Sequence, residues 1–287
     1  MKRRLLLQSV ALPVLFVGPA MGADLPVKAP PSLAPATLAH NWTGFYVGLN
    51  AGGAWGHSDV TTDPSCATVA PYANYFCGIV FGQNNASAIA AAGTGSMSGS
   101  RFTGGGQIGY NFQIDRAVLG IESDIDYFNI KGSRQVGGIY PGGGPVFPAG
   151  ANFAISSSVH TNWLFTARGR AGWLLSNNLL AYATGGLAVT EIHVTHAFRD
   201  SALPVPGVGN WSGSKTKLGW TVGGGFEWAL TRNWSVKAEY LYLNFGSVDA
   251  AGLVVEPLGA PSGYANAIST SADLSAHIAR AGVNYKF

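Results

Sequence analysis

Charge is scarce in this chain, with only 11% of its 287 residues charged. Long apolar runs are scarcer still, although 47% of residues are hydrophobic. The one extended run lies at the N-terminus, so the rest of the chain offers no helix able to cross a bilayer. A positive excess is also lacking. Setting aside Lys2, Arg3 and Arg4 of the leader takes the 17 basic residues to 14, against 14 acidic ones. No basic patch forms, which excludes nucleic acid as a partner. Cysteine is confined to Cys66 and Cys77, within a stretch of small and polar residues. The pair reads as a disulfide in a loop of an exported chain. Without neighbouring ligands it is no metal site, and no metal or cofactor is expected.

The leader has three basic residues, a mostly apolar run from Leu5 to Val17, and small residues around Ala20 to Ala23. These features predict a cleaved signal peptide over residues 1–22. Residues 23–41 are rich in proline and predict a flexible periplasmic segment. Order is expected from Trp42 onward. The 40 glycines, 8 tryptophans, 11 tyrosines and 14 phenylalanines suit a sheet that bends, packs closely and anchors in a membrane interface.

From Trp42 to Phe287 the chain holds eight stretches of about ten alternating residues, which predicts an all-β fold. The last runs to a terminal aromatic carboxylate, with Ala279, Ala281, Val283 and Tyr285 on one face and Arg280, Gly282, Asn284 and Lys286 on the other. In an exported chain this pattern predicts an eight-stranded antiparallel up-and-down barrel spanning the outer membrane over residues 42–287. Phe45 with Trp55, Phe102 with Phe112, and Trp163 with Trp173 are outward aromatics ten positions apart. Ten residues at about 3.3 Å each, tilted near 40°, climb roughly 25 Å, so these pairs read as the two aromatic girdles. Leu179 to Val189 is the stretch whose facing is least defined. Short turns at 113–116, 176–178 and 231–233 are expected on the periplasmic side. Long loops at 57–100, 131–160, 193–215 and 246–271 are expected outside.

Inward positions decide what an eight-stranded lumen can pass. Glu122, Asp124, Asp126, Glu227 and Glu239 face inward, as do Arg168, Arg170, Lys217, Lys237 and Arg280. Five acids against five bases predict a salt-bridged plug rather than a general acid/base or metal site. A narrow passive porin is the alternative. A lipid A-modifying enzyme is a more distant one, resting on Ser275 and His277, and nothing in the sequence places a carboxylate to orient His277. No enzyme is therefore expected. His193 and His196 share a weak metal-ligand spacing, and the loops, made of small residues, name no ligand.

Several segments carry a family resemblance. They are Ala23-Asp24-Leu25-Pro26, the run Trp42 to Gly48, Gly106 to Asn111, Tyr182 to Gly186, Trp234 to Tyr242 and the terminal strand. Together they resemble the small eight-stranded outer-membrane barrels of alphaproteobacteria, the outer-membrane immunogenic or small porin-like proteins. The resemblance implies an outer-membrane location, surface-exposed loops, and contact with outer-membrane lipid and lipopolysaccharide, and it leaves room for contact with peptidoglycan. It also makes Tyr285 and Phe287 an assembly signal for the barrel-insertion machinery. The first long connection, with Cys66 and Cys77, departs from the pattern.

Overall fold

A computed structural model describes residues 40–65, 76, 85–141, 147–203, 205–255 and 265–287. The leader, residues 23–39, and the Cys66 and Cys77 pair lie outside them.

The strands are β1 (Gly44–Pro64), β2 (Gly95–Ile114), β3 (Ala117–Phe128), β4 (Lys131–Ile139), β5 (Asn152–Ser176), β6 (Leu179–Asp200), β7 (Val208–Ala229), β8 (Trp234–Val255) and β9 (Ala265–Lys286). Among the described residues one short helix, α1 (Asn85–Gly93), precedes β2. Hydrogen bonding runs β3-β2-β1-β9-β8-β7-β6-β5-β4, and a further β3–β5 pairing closes the sheet on itself. The nine strands of the described residues thus make a ring of eight staves. β3 pairs with β5 from Trp163 to Trp173, and β4 pairs with it from Asn152 to His160, so β4 prolongs the line of β3. The break between them faces a bulge in β5 between Thr161 and Leu164. Thr161 patches it: its hydroxyl donates to Phe128 O at 2.7 Å and accepts from Ile130 N at 3.2 Å.

Tight reversals set the periplasmic end. Asp115 adopts a positive φ of 51° between β2 and β3, a conformation that aspartate tolerates. Thr231 Oγ1 accepts from Trp234 N at 3.0 Å in the turn before β8. β9 is tied down there as well, with Asn233 Nδ2 donating to Lys286 O at 2.7 Å and Phe287 N donating to Phe45 O at 3.1 Å.

The expected external loops are largely strand. β6, β7, β8 and β9 each run 22 residues, which at this tilt climbs about 55 Å, twice the apolar band. What changes above the band is the polarity of the two faces. Within it, Leu187 and Leu218 point out while Thr184 and Thr221 are buried inside. Above it, Ile155, Val159, Ile192, Val194 and Phe198 are buried inside, while Ser156, Ser158, Glu191 and Thr195 face out. Water outside and apolar packing within restore the ordinary sign of the hydrophobic pattern, so alternation continues with its meaning reversed.

The interior is consequently layered along the barrel axis. Trp42, Val118, Leu174, Leu180, Tyr182 and Ala229 cluster at the periplasmic end. A larger apolar cluster, including Phe128, Leu164, Leu241, Leu243 and Ile278, occupies the middle. Tyr140, Phe147, Phe153 and Phe198 fill the outer end together with Ile89 of α1. Arg134 Nη1 donates to Ala92 O and Gly93 O, both at 2.9 Å, and so satisfies the carbonyls at the end of that helix.

Candidate functional site

Between the periplasmic cluster and the middle one lies a layer of charge. Strand alternation turns Glu122, Asp124 and Asp126 of β3 inward, and β5 directly opposes them, placing Arg168 against Glu122. β8 contributes Lys237 and Glu239, β9 sets Arg280 against Glu239, and β7 supplies Glu227.

Arg168 is the hub. Its Nη2 lies 2.6 Å from Glu122 Oε1 and 2.5 Å from Asp124 Oδ2, and its Nη1 lies 3.1 Å from Glu239 Oε1. Arg280 forms a second hub, 2.6 Å from Asp126, 2.7 Å from Glu239 and 3.1 Å from Asp124. Lys237 Nζ reaches Glu122 Oε1 at 2.8 Å. Arg170 pairs with Glu227, and its guanidinium carbon sits 3.9 Å from the centre of the Tyr182 ring. Neutral donors add contacts to four of the five carboxylates, whereas Asp126 Oδ1 is buried without a hydrogen-bond partner. Tyr46 donates to Glu122 at 2.8 Å, Thr166 to Asp124 at 2.8 Å, Tyr182 to Glu239 at 3.1 Å, and Asn284 and Ser235 to Glu227 at 2.8 and 2.5 Å. Such charge-assisted contacts are what a buried ion needs to offset its lost hydration.

Nine of the ten charges expected inside come together here; Lys217 does not. Its parity is inward, but it lies ten positions above Glu227 on β7, roughly the thickness of the band away. The β7–β8 ladder stops at Trp220 with Asn244 and resumes only at Val208 with Val255. Lys217 is therefore half-exposed on a stretch of β7 that pairs with β6 through Thr190 but not with β8. The layer holds five acids and four bases.

Sequence reasoning missed the neutral members of this layer. Tyr46, Thr166, Tyr182, Ser235 and Asn284 stood at inward positions, but only three-dimensional proximity reveals which polar groups complete the carboxylates. Some inward glycines are explained the same way. A Cβ on Gly105 would stand 2.0 Å from Ile125 O and 2.3 Å from Asp126 Oδ1, so the glycine at this position makes room for the charged layer.

On the outer surface Phe45, Trp55, Phe102, Phe112 and Trp173 are exposed toward lipid, while Trp163 is half-buried beside the β5 bulge. Trp228 and Trp234 are exposed near the periplasmic turns and Trp220 at the outer rim. Tyr285 packs edge-on against Trp234 at 5.0 Å and against Phe287 at 5.3 Å. Ser275 and His277 share the outward face of β9, and Nδ1 of His277 lies 2.5 Å from the Tyr240 hydroxyl. The group holding that imidazole is a phenol, and no ion pair to His277 forms among the described residues.

Comparison with known proteins places this geometry. A family model described as an outer membrane protein beta-barrel domain matches residues 29–287. The 31 kDa outer-membrane immunogenic protein of Brucella melitensis is 30% identical over 291 aligned positions, covering 99% of this chain and 100% of that protein. The 25 kDa outer-membrane immunogenic protein of Brucella abortus is 25% identical, covering 100% of this chain and 99% of that one. The crystal structure of the outer membrane protease OmpT from Escherichia coli overlaps at a TM-score of 0.40 and 8% identity, covering 88% of this chain and 99% of that one. The closed ring of eight staves, the lipid-facing aromatics and the end-to-end relatives agree, and the chain belongs to the outer-membrane β-barrel family of the outer-membrane immunogenic proteins, resident in the bacterial outer membrane.

Proposed function

We propose that this barrel is a closed structural element of the cell envelope that presents its outer half to the surroundings and conducts few ions or none. The observation that carries the reading is the layered interior. The nine charged side chains of the layer belong to residues only 2 to 4% exposed, and apolar clusters lie above and below them. An ion entering the layer would have to displace paired charges, and beyond it would meet side chains that offer no hydration. The exposed girdle aromatics support contact with outer-membrane lipid and lipopolysaccharide. Phe287, 73% exposed at the end of β9, is free to be read by barrel-insertion machinery. We also read the chain as non-enzymatic, since its candidate Ser275 and His277 pair has a phenol where a catalytic orienter would be a carboxylate.

The test is conductance of the refolded mature protein in a planar bilayer, with heat-modifiable gel migration to confirm the folded barrel. Folded protein that stays silent supports the closed reading. Discrete ohmic steps would replace it with a narrow passive porin whose selectivity is set by the charged layer.

A further inference from the structure

We propose that His160 and His193 form a two-imidazole chelate for a divalent first-row transition-metal ion on the outer surface of the barrel, just above the membrane. The sequence spacing had paired His193 with His196. A strand sends residues three apart to opposite faces, and His196 indeed points inward, 2.8 Å from Ser157 Oγ and stacked on Trp211. The partner of His193 comes from the neighbouring strand instead. His160 of β5 stands directly opposite it in the β5–β6 register, and the two rings lie 4.7 Å apart and within 14° of parallel.

Cross-strand residues in direct opposition have Cβ atoms about 4.5–5.5 Å apart, close enough for two imidazoles to reach one ion. Both rings are half-exposed on the outward face, so rotation about the Cβ–Cγ bond can aim one lone pair from each at a common point. Glu191 Oε2 lies 3.5 Å from His193 Nε2, and Asn162 Nδ2 lies 3.3 Å from the same nitrogen. In this arrangement Glu191 is a positioning residue: a carboxylate on one imidazole nitrogen fixes the orientation and tautomer of the ring, leaving the other nitrogen for the ion. It also offsets the charge of Lys131, which stands opposite His160 on β4. No set of three metal-ligating side chains occurs among the described residues, so water completes the coordination sphere.

The donor set decides the class of ion. Neutral imidazoles suit Cu²⁺, Ni²⁺ and Zn²⁺, with Cu²⁺ bound most tightly, whereas Ca²⁺ and Mg²⁺ require oxygen cages. The position lies two to three residues above Trp163 and Tyr127, the rim aromatics of the same strands and their neighbour. A bound ion would therefore sit at the level of the lipid headgroups.

The experiment is titration of tag-free, refolded protein with Cu²⁺ and with Zn²⁺, followed by calorimetry, together with electron paramagnetic resonance of the Cu²⁺ complex. The expected result is one ion per chain and a spectrum showing two imidazole nitrogens. His160→Gln and His193→Gln should each weaken binding about 100-fold, the loss of a chelate's effective concentration. Glu191→Gln should weaken it about tenfold. His57→Gln, which alters the exposed imidazole 3.3 Å from Asp59, should leave binding unchanged. All three altered side chains of the site face outward, and heat-modifiable migration verifies that each variant folds. Saturable binding that survives both His160→Gln and His193→Gln, or the lack of saturable binding by wild type, would overturn the proposal.

Discussion

Arg168→Met removes the guanidinium hub of the charged layer while keeping an unbranched apolar stem that ends near the position of Nε. Three carboxylates lose a contact, those of Glu122, Asp124 and Glu239. The layer goes from five acids and four bases to five and three. Breaking a fully buried ion pair costs about 3–5 kcal/mol. The lower end applies here, because Lys237 still holds Glu122 and Arg280 still holds Asp124 and Glu239. Urea unfolding in micelles, followed by tryptophan fluorescence, should therefore show a loss of about 3 kcal/mol. Adding Glu122→Gln removes one of the acids left in excess, and should recover at least ~1 kcal/mol as a coupling in the double-variant cycle. Lys217→Ala is the control, since this half-exposed lysine makes no ion pair among the described residues and its loss should change stability by less than ~0.5 kcal/mol. The apolar clusters on either side should keep Arg168→Met silent in a planar bilayer. A loss under ~1 kcal/mol would refute a dry, paired layer. New conductance would instead show that the charges alone close the lumen.

Gly105→Ala places a methyl against Ile125 O and Asp126; a collision with backbone should cost about 2 kcal/mol or more and lower the yield of heat-modifiable barrel on refolding. His196 lies above the membrane band, where burial pushes its pKa from the ordinary 6.5 down to about 4. The unfolded chain then binds a proton that the folded one refuses, so this residue costs nothing above pH 6.5, and its penalty grows as pH falls toward 4. His196→Gln should flatten that part of the stability–pH curve in urea melts, and an unchanged slope would contradict the assignment. Deleting Phe287, a residue 73% exposed whose N–H donates to Phe45 O, should cost the refolded barrel only about 1 kcal/mol, the worth of that hydrogen bond. In cells the same deletion should deplete the protein from outer-membrane fractions; normal fractionation would remove its role in assembly.

Parity was legible in the chain because it is local. Successive side chains on a strand point to opposite faces whatever the strand pairs with, so Glu122, Arg168, Glu239 and Arg280 could be placed inside, and Phe45, Leu218 and Trp173 outside, from alternation alone. Height was not legible, because it depends on register and stagger between strands distant in sequence. Lys217 has the parity of Glu227 yet stands a membrane thickness above it. The outer halves of the strands read as loops because their polarity reverses where lipid gives way to water. The helix α1 gave no amphipathic signal in its alanine-rich run.

The sequence by itself determined a closed, lipid-facing barrel with charge turned inward, since two-residue periodicity and terminal aromatics are properties of single segments. Only the tertiary structure decided which charges meet, that Tyr46 and Tyr182 complete them, and that His193 faces His160 rather than His196. Those contacts join residues as far apart as Asp124 and Arg280, and no local pattern specifies which of several equally phased side chains a closing sheet will bring to the same level.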